Sequence, residues 1–355
     1  MNLCYSEHEL SVYLEKAADL NREHPVIVSK FIEGAKEIDV DGVCQNGKIL
    51  VFAIAEHIEN AGVHSGDAHL VNPPQRIYLR TEKKIIEIVK KLTKALQISG
   101  PFNIQFIAKE NEVMVIEMNL RASRSFPFLS KAAGVNFAEK IVDAFYKKGK
   151  FIDLHYPNYV VVKTPQFSFS RLVGADPVLR VEMASTGEVA CFGEDTEEAY
   201  LKSLLSTGIS LNKRTALLAL GGVENKERFL ESAWKLRNLG FKLYATDKTH
   251  KFLKSKRVKS SLVAKVYEAK KQNVVDLIND KKFSVLVNLS EKYDENIKQL
   301  EKARSDGYLI RRAAVDKNIL LLTDLHLAMF FVKAISKYKI EDLKIKSWDE
   351  YLNSS

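Results

Sequence analysis

Near residue 212 the apolar residues change their rhythm, and that change limits the chain to two differently wound sheets. Before it, alternating runs follow one another like hairpins: Val26–Ile32, Glu37–Val43 and Ile49–Ile54. Glu33-Gly34 and Gln45-Asn46-Gly47 mark the turns between them. One helix follows, from Thr81 to Gln97. Ile85, Ile88, Val89, Leu92 and Leu96 recur at helical spacing, and Gly100-Pro101 ends it. Residues 1–150 therefore read as an α+β portion with antiparallel pairing.

After residue 212 short strands alternate with helices. Strands are expected at Ala216–Leu220, Phe241–Thr246, Ser261–Val266, Phe283–Leu289 and Ile319–Thr323. Helices are expected at Lys226–Asn238, Thr249–Lys254, Asn273–Asp280 and Leu325–Ser336. That order implies parallel βαβ units and an α/β doubly wound domain over residues 212–355. Residues 151–211, with Pro157, Pro165 and Pro177, read as a connector region. Length allows this division, since 355 residues fit two domains of ordinary size.

Composition narrows the function. The chain is 46% hydrophobic and 28% charged, which is globular rather than disordered, and no apolar run is long enough to span a bilayer. Membrane association is not expected. Cys4, Cys44 and Cys191 are too scattered for a disulfide framework or a CxxC metal site. The formal charge of +9 is spread along helix faces such as Lys83, Lys84, Lys90, Lys91 and Lys94, with no nucleic-acid-binding signature. An anionic small molecule is the better use of that surplus.

Chemistry concentrates in Asn103-Ile-Gln105 and in Glu117-Met-Asn119-Leu-Arg121. Alternation points Glu117, Asn119 and Arg121 the same way. An odd-length loop centred on Asn111 would place Gln105 opposite Glu117. One face would then carry oxygen ligands of the kind Mg²⁺ prefers, beside a guanidinium suited to a phosphoryl group. A merely solvated polar strand face is the other reading of these residues.

Two further stretches are distinctive: Glu56-His-Ile-Glu59-Asn-Ala-Gly62-Val-His-Ser-Gly-Asp67, and Glu117 through Phe128. With Met183-Ala-Ser-Thr-Gly-Glu188 they resemble the second ATP-grasp half of the carbamoyl-phosphate synthetase large chain, and the C-terminal part resembles its methylglyoxal-synthase-like regulatory domain. The likeness is closest to the eukaryotic-type enzymes and runs from Met1 to about Lys337. It implies MgATP-dependent phosphorylation of carbamate, with Mn²⁺ as an alternative metal, serving pyrimidine or arginine/urea synthesis. It also implies site roles. Gln105, Glu117 and Asn119 match the magnesium ligands, and Gln105 and Glu117 also lie near the nucleotide phosphates. Arg121 matches the arginine beside the transferred phosphoryl. Lys30 and Ile32 match the adenine hinge, and Glu37 the ribose acceptor. Gly62, Val63, His64 and Ser65 match the loop lining the nucleotide and carbamate site; for His64, a turn histidine bonded to backbone is the alternative.

Departures matter as well. Leu120 stands where bacterial members have proline. Glu59 and Asp67 match two of the three carboxylates of ornithine-activated enzymes, but Thr164 replaces the third, which argues against ornithine activation. In the regulatory domain Thr246, Thr249 and Asn288 match effector-binding positions, with helix capping as the simple alternative for the threonines. Lys265 and Glu291 replace residues that recognise N-acetylglutamate, so a phosphorylated effector is expected.

The family's Gly-rich phosphate loop lies just before the segment matching Asn2–Leu10. The expectation is thus the C-terminal part of a synthetase, inactive alone because that loop is missing and weak in nucleotide binding. Its partners would be the remaining synthetase and a glutaminase, in the cytoplasm, or in mitochondria for an ammonia-dependent parent. A non-catalytic effector-binding fragment or subunit is the alternative.

Overall fold

A computed structural model describes residues 4, 6–20, 25–146, 149–152, 156–168, 174–179, 182–264, 266, 272–290 and 306–353. The chain forms two compact units, each assembled from separated stretches. One comprises Met1–Glu33, Phe169–Glu182 and Leu211–Leu325; the other comprises Gly34–Ser168, Met183–Ser210 and His326–Ser355.

The second of these is built on a seven-stranded antiparallel sheet. Its strands are β1 (Lys36–Gln45), β2 (Lys48–Asn60), β3 (Leu70–Asn72), β4 (Gly100–Lys109), β5 (Glu112–Asn119), β6 (Val160–Gln166) and β7 (Gly187–Gly193), in the order β5-β4-β1-β2-β3-β6-β7. Asn46 and Gly47 join β1 to β2 with φ of 48° and 74°. Two positive φ values in succession match the twist of a two-residue hairpin, which is why Asn-Gly stands there.

The two faces of this sheet are filled differently. On one, Ile38, Val40, Ile54, Ile104 and Phe106 pack with Ile85 and Val89 of the helix Leu79–Ala95. Each such side chain contributes roughly 1.5–3 kcal/mol by leaving water. On the other, Val43, Val51, Ala53, Leu70 and Val161 pack with Phe126, Leu129 and Phe137 of two short helices, Phe126–Ala132 and Phe137–Tyr146. That apolar cluster covers only part of its face. Alternation along β1 and β4 puts Asp39, Asp41, Asn103 and Gln105 on the remainder.

Three expectations change. The stretch 151–211 is no separate connector, because β6, β7 and the helix Thr196–Ser206 complete the sheet. Pro165 is tolerated in β6 because β3 pairs only with Val161, Val162 and Lys163, so the missing N–H has no β3 partner to lose. Val26–Ile32 is not a strand. It has no partner among the described residues, and Ile27 is 87% exposed. The helix Leu325–Lys337 does not close the α/β domain expected over residues 212–355. It packs on the antiparallel sheet's unit, where Phe330 meets Tyr200 at 5.2 Å and Lys337 pairs with Asp195 at 2.7 Å.

The other unit holds a five-stranded parallel sheet of β8 (Thr215–Leu220), β9 (Lys242–Ala245), β10 (Ser261–Leu262), β11 (Val285–Leu289) and β12 (Leu320–Leu322), ordered β10-β9-β8-β11-β12. Helices Val274–Asn279 and Asp306–Asp316 pack on the face carrying Leu217, Tyr244 and Leu286. Helices Val223–Asn238 and Asp247–Ser255 pack against β8 and β9. β10 is shorter than its apolar run, although Ala264 adds a bridge to Asn273. Lys265 and Glu291 lie outside the described residues.

Candidate functional site

Gln105 does face Glu117, and Asn103 faces Asn119. The route differs from the odd-loop expectation. Glu110 and Asn111, with φ of 51° and 65°, make a two-residue turn between Lys109 and Glu112. A bulge between the Gln105 and Phe106 positions then skips Ile116 and restores the alignment. The polar ends of β4 and β5 so come to one wall of a cavity of about 320 Å³.

Six of the residues expected at the site line this cavity: His64, Ser65, Gln105, Glu117, Asn119 and Arg121. The Gln105 amide donates to the Ser65 hydroxyl at 2.9 Å, which leaves the amide oxygen as a ligand. Asn119 donates to Glu117 at 2.8 Å and steadies the exposed carboxylate. Among the described residues no three His, Cys, Asp or Glu side chains group as a metal site. The donor set fits a hard cation all the same, because one carboxylate and two amide oxygens suit Mg²⁺ when phosphates and water complete the shell.

Five expected residues do not line the cavity. Lys30 and Ile32 lie in the irregular stretch 25–33, grouped with the other unit, the first exposed and the second half-buried. Glu37 is 7% exposed and accepts from the Gly62 N–H at 3.3 Å, so in this structure it tethers the loop. Gly62 and Val63 begin that loop without reaching the wall.

The loop is fixed by two buried charges, Lys163, which the sequence reading did not select, and Asp67, which it matched only to an ornithine carboxylate. Lys163, fully buried on β6, donates to the carbonyls of Ser65 and Gly66 at 2.8 and 3.3 Å, and burial pushes its pKa down. Asp67 accepts from the N–H groups of Ala184 and Ser185, both at 2.8 Å. His64 Nδ1 accepts from Gly66 N–H at 3.0 Å, so it is a turn histidine as well as a wall residue. A Cβ at Gly66 would sit 2.6 Å from Met183 Sδ, so that side chain packs where only glycine leaves it room and would have to shift for any other residue.

The matched ornithine carboxylates are already engaged. Glu59 binds His69 at 2.6 Å; burial alone would raise its pKa, but His69 outweighs it and holds the carboxyl low. Thr164 bonds to Ser203 at 2.6 Å.

β1 contributes two wall residues the sequence reading did not select, Asp39 and Asp41. His57 Nε2 meets Asp39 Oδ2 at 2.8 Å. Burial would lower the His57 pKa, yet Glu37 and Asp39 overcome it and raise it. Burial pushes the Asp41 carboxyl up to about 7, against the pull of its hydrogen bonds. The signal was present as Glu-Ile-Asp-Val-Asp, three acids at strand alternation inside an otherwise apolar hairpin. Arg124, also on the wall, donates to Ser185 Oγ at 2.9 Å.

In the other unit Thr246 caps the helix Asp247–Ser255 by position, without a side-chain cap bond. Its hydroxyl donates to Thr249 at 3.3 Å. Thr249 is fully buried and bonds to the backbone of Leu220, so its hydroxyl is committed to the fold. Asn288 accepts from Arg311 at 2.9 Å, and Arg311 grips Asp176 through two bonds of 2.7 and 2.6 Å.

Residues 1–144 match the family described as carbamoyl-phosphate synthase L chain, ATP binding domain, and residues 228–323 match the MGS-like domain. The chain thus joins an ATP-grasp portion to a methylglyoxal-synthase-like domain. It belongs to the carbamoyl-phosphate synthase large-chain family, of the eukaryotic type. It is 46% identical over 341 residues to the multifunctional protein pyr1-3 of Dictyostelium discoideum, covering 96% of this chain and 15% of that protein. With the multifunctional protein URA2 of Saccharomyces cerevisiae it shares 44% over 349 residues, 95% of this chain and 16% of that one. With the mitochondrial ammonia-type carbamoyl-phosphate synthase of Rattus norvegicus it shares 42% over 360 residues, 97% and 23% respectively. The chain therefore spans less than a quarter of the length of each of these relatives. Among solved structures, the biotin carboxylase domain of a thermophilic 2-oxoglutarate carboxylase aligns with 58% of this chain and 54% of its own, at 14% identity and a TM-score of 0.44.

Proposed function

We propose that the chain is part of a carbamoyl-phosphate synthetase and contributes to its carbamate-phosphorylating step. A carbamate oxygen attacks the γ-phosphorus of ATP, the bond to the β-phosphate oxygen breaks, and carbamoyl phosphate and ADP result. The observation that carries this reading is the convergence of Gln105, Glu117, Asn119 and Arg121 with His64 and Ser65 on one cavity. Gln105, Glu117 and Asn119 would hold Mg²⁺, or Mn²⁺ in its place, which neutralises phosphate charge. Arg121 offsets charge on the moving phosphoryl, and the Ser65–Gln105 bond fixes the wall that orients it. Lys30 and Ile32 would hold adenine and Glu37 the ribose, once released from Gly62.

The product would enter pyrimidine or arginine synthesis, in the cytoplasm or, for an ammonia-type parent, in mitochondria. A glutaminase would be the partner that supplies ammonia. Thr246 and Asn288, with Thr249 behind them, would receive a phosphorylated effector. The alternative, a non-catalytic effector-binding subunit, requires no transfer chemistry at all. On the assembled synthetase, MgADP and carbamoyl phosphate should yield ATP, and Glu117→Ala should stop it. A wild-type protein that makes no ATP from this pair overturns the reading.

A further inference from the structure

Two carboxyl oxygens on the cavity wall have no role in the chemistry above. Asp39 is 2% exposed and Asp41 fully buried, both line the cavity, and the Oδ1 atom of each has no hydrogen-bond partner. Their Oδ2 atoms are engaged, Asp39 with His57 at 2.8 Å and Asp41 with Asn103 Nδ2 at 3.2 Å; Ser123 lies beside the Asp41 carboxyl and pulls its pKa down, but its hydroxyl is itself unpartnered and does not meet Oδ1 in hydrogen-bond geometry. A buried acceptor left unmet is destabilising, because its bond to water is lost and nothing replaces it. Two of them, two residues apart on one strand face, mark a place where a donor is missing.

The cavity is also polarised. Its β1 wall presents acceptors, whereas Arg121 and Arg124 present cationic donors. A ligand that meets both acceptors must carry two donor hydrogens at one end, as an amino group does, and an anionic oxygen at the other. Carbamate is such a molecule: its carboxylate suits the arginine side and the reacting phosphorus, and its amino group needs acceptors. Bicarbonate and acetate lack the amino group.

We infer that Asp41, with Asp39 beside it, accepts the amino hydrogens of carbamate and makes the site selective for an amide-bearing acyl group. This rests on the proposed phosphorylation of carbamate and adds the groups that choose its substrate.

Asp41→Asn tests it sharply. Asn103 donates to the Oδ2 position, so the new amide must turn its oxygen there and its NH₂ toward the cavity. The acceptor becomes a donor, while shape and burial stay the same. The readout is ATP formation on the assembled synthetase from MgADP with carbamoyl phosphate or with acetyl phosphate, in which a methyl replaces the amino group. The wild-type enzyme should prefer carbamoyl phosphate in kcat/KM. Asp41→Asn should reduce that preference by roughly ten- to a hundredfold, the scale of one hydrogen bond to a charged group. A ratio measured on one preparation does not depend on the folded fraction. Asp41→Ala should reduce the ratio in the same direction. An unchanged ratio in both variants overturns the inference while leaving the proposed function standing. A change confined to the Mg²⁺ dependence also overturns it, because the carboxyl would then be a cation ligand. No ATP from the wild-type enzyme sinks the underlying reading instead.

Discussion

The two sheets of this protein place chemistry in different parts of a strand. In the antiparallel sheet the candidate residues lie within the strands: Asp39 and Asp41 in β1, Gln105 in β4, Glu117 in β5. In the parallel sheet they lie at the carboxyl ends or just beyond, as Asn288 does in β11 and Thr246 does after β9. The reason is what covers each sheet. Parallel strands are buried on both faces by their crossover helices, so only their ends can meet a ligand. Here β11 is buried at every position. The antiparallel sheet has one face only partly capped by the Phe126–Phe137 cluster, and the uncapped part can carry polar groups.

The sharpest way to break this comparison is to change a residue within a strand of each sheet. Glu117 is exposed on its strand face and touches no core. Glu117→Gln should lower phosphoryl transfer in the assembled synthetase by roughly 10²–10³-fold or more, with the melting temperature hardly moved. Steady-state kinetics and calorimetric melting check both halves. Loss of the fold together with activity would put Glu117 in the core and contradict the open-face account.

Leu286 lies inside β11 as the second of its five residues, at the end opposite Asn288, and is fully buried. Leu286→Ala should cost about 2–5 kcal/mol of stability, measured by urea unfolding, because both the transfer energy and a cavity are lost. A loss under about 1 kcal/mol would mean that this sheet face is less closed than its packing indicates.

These positions also explain what the sequence alone could reveal. Gly-flanked turns and helical spacing marked most elements, since both are local signals. The Gln105–Glu117 pairing was reached with the wrong turn, because a bulge at Ile116 compensated for the two-residue hairpin and no local signal marks a bulge. Lys163 draws no notice in the sequence and the loop-fixing role of Asp67 does not show there, because their partners, Gly66 and Ser185, are about a hundred residues away in sequence. Glu37 matched a ligand role, yet its carboxylate holds Gly62 N–H, which only the folded loop reveals. The prolines of 151–211 suggested a connector, but Pro165 sits where β3 has already ended.

A third test concerns burial of charge on the open face. The Asp41 pKa rises from 3.8 to about 7 because burial disfavours the carboxylate. Between these values the folded protein holds a proton that the unfolded chain has released, so stability falls as pH rises through this window and levels off above it. About three units correspond to a ceiling of about 4 kcal/mol, and interior relaxation lowers it. Asp41→Asn should therefore raise the melting temperature more at pH 8 than at pH 4. Glu37 and His57 also titrate nearby with raised pKa values, so the comparison must be between variant and wild type at each pH. An equal effect at both values would mean that Asp41 is solvated in the working protein.

The smallest effect separates the two threonines at the end of the parallel sheet. Thr249 is committed to the backbone of Leu220, so Thr249→Val should cost about 1–2 kcal/mol in stability, the scale of a buried N–H left unmet. Thr246 is half-buried, makes no cap bond and only donates to Thr249, so its loss should leave the fold nearly unchanged. If the strand end receives a phosphorylated effector, Thr246→Ala should weaken binding by about tenfold, equivalent to ~1.4 kcal/mol and one hydrogen bond. Calorimetry on the full chain with UTP, UMP, phosphoribosyl pyrophosphate and N-acetylglutamate reads the affinity, and thermal melting reads the stability. The phosphorylated ligands should rank first and should lose affinity in Thr246→Ala. If N-acetylglutamate alone binds, or if Thr246→Ala leaves every affinity unchanged, the carboxyl end of this sheet is not the effector site, and the contrast between mid-strand and strand-end chemistry fails on its parallel side.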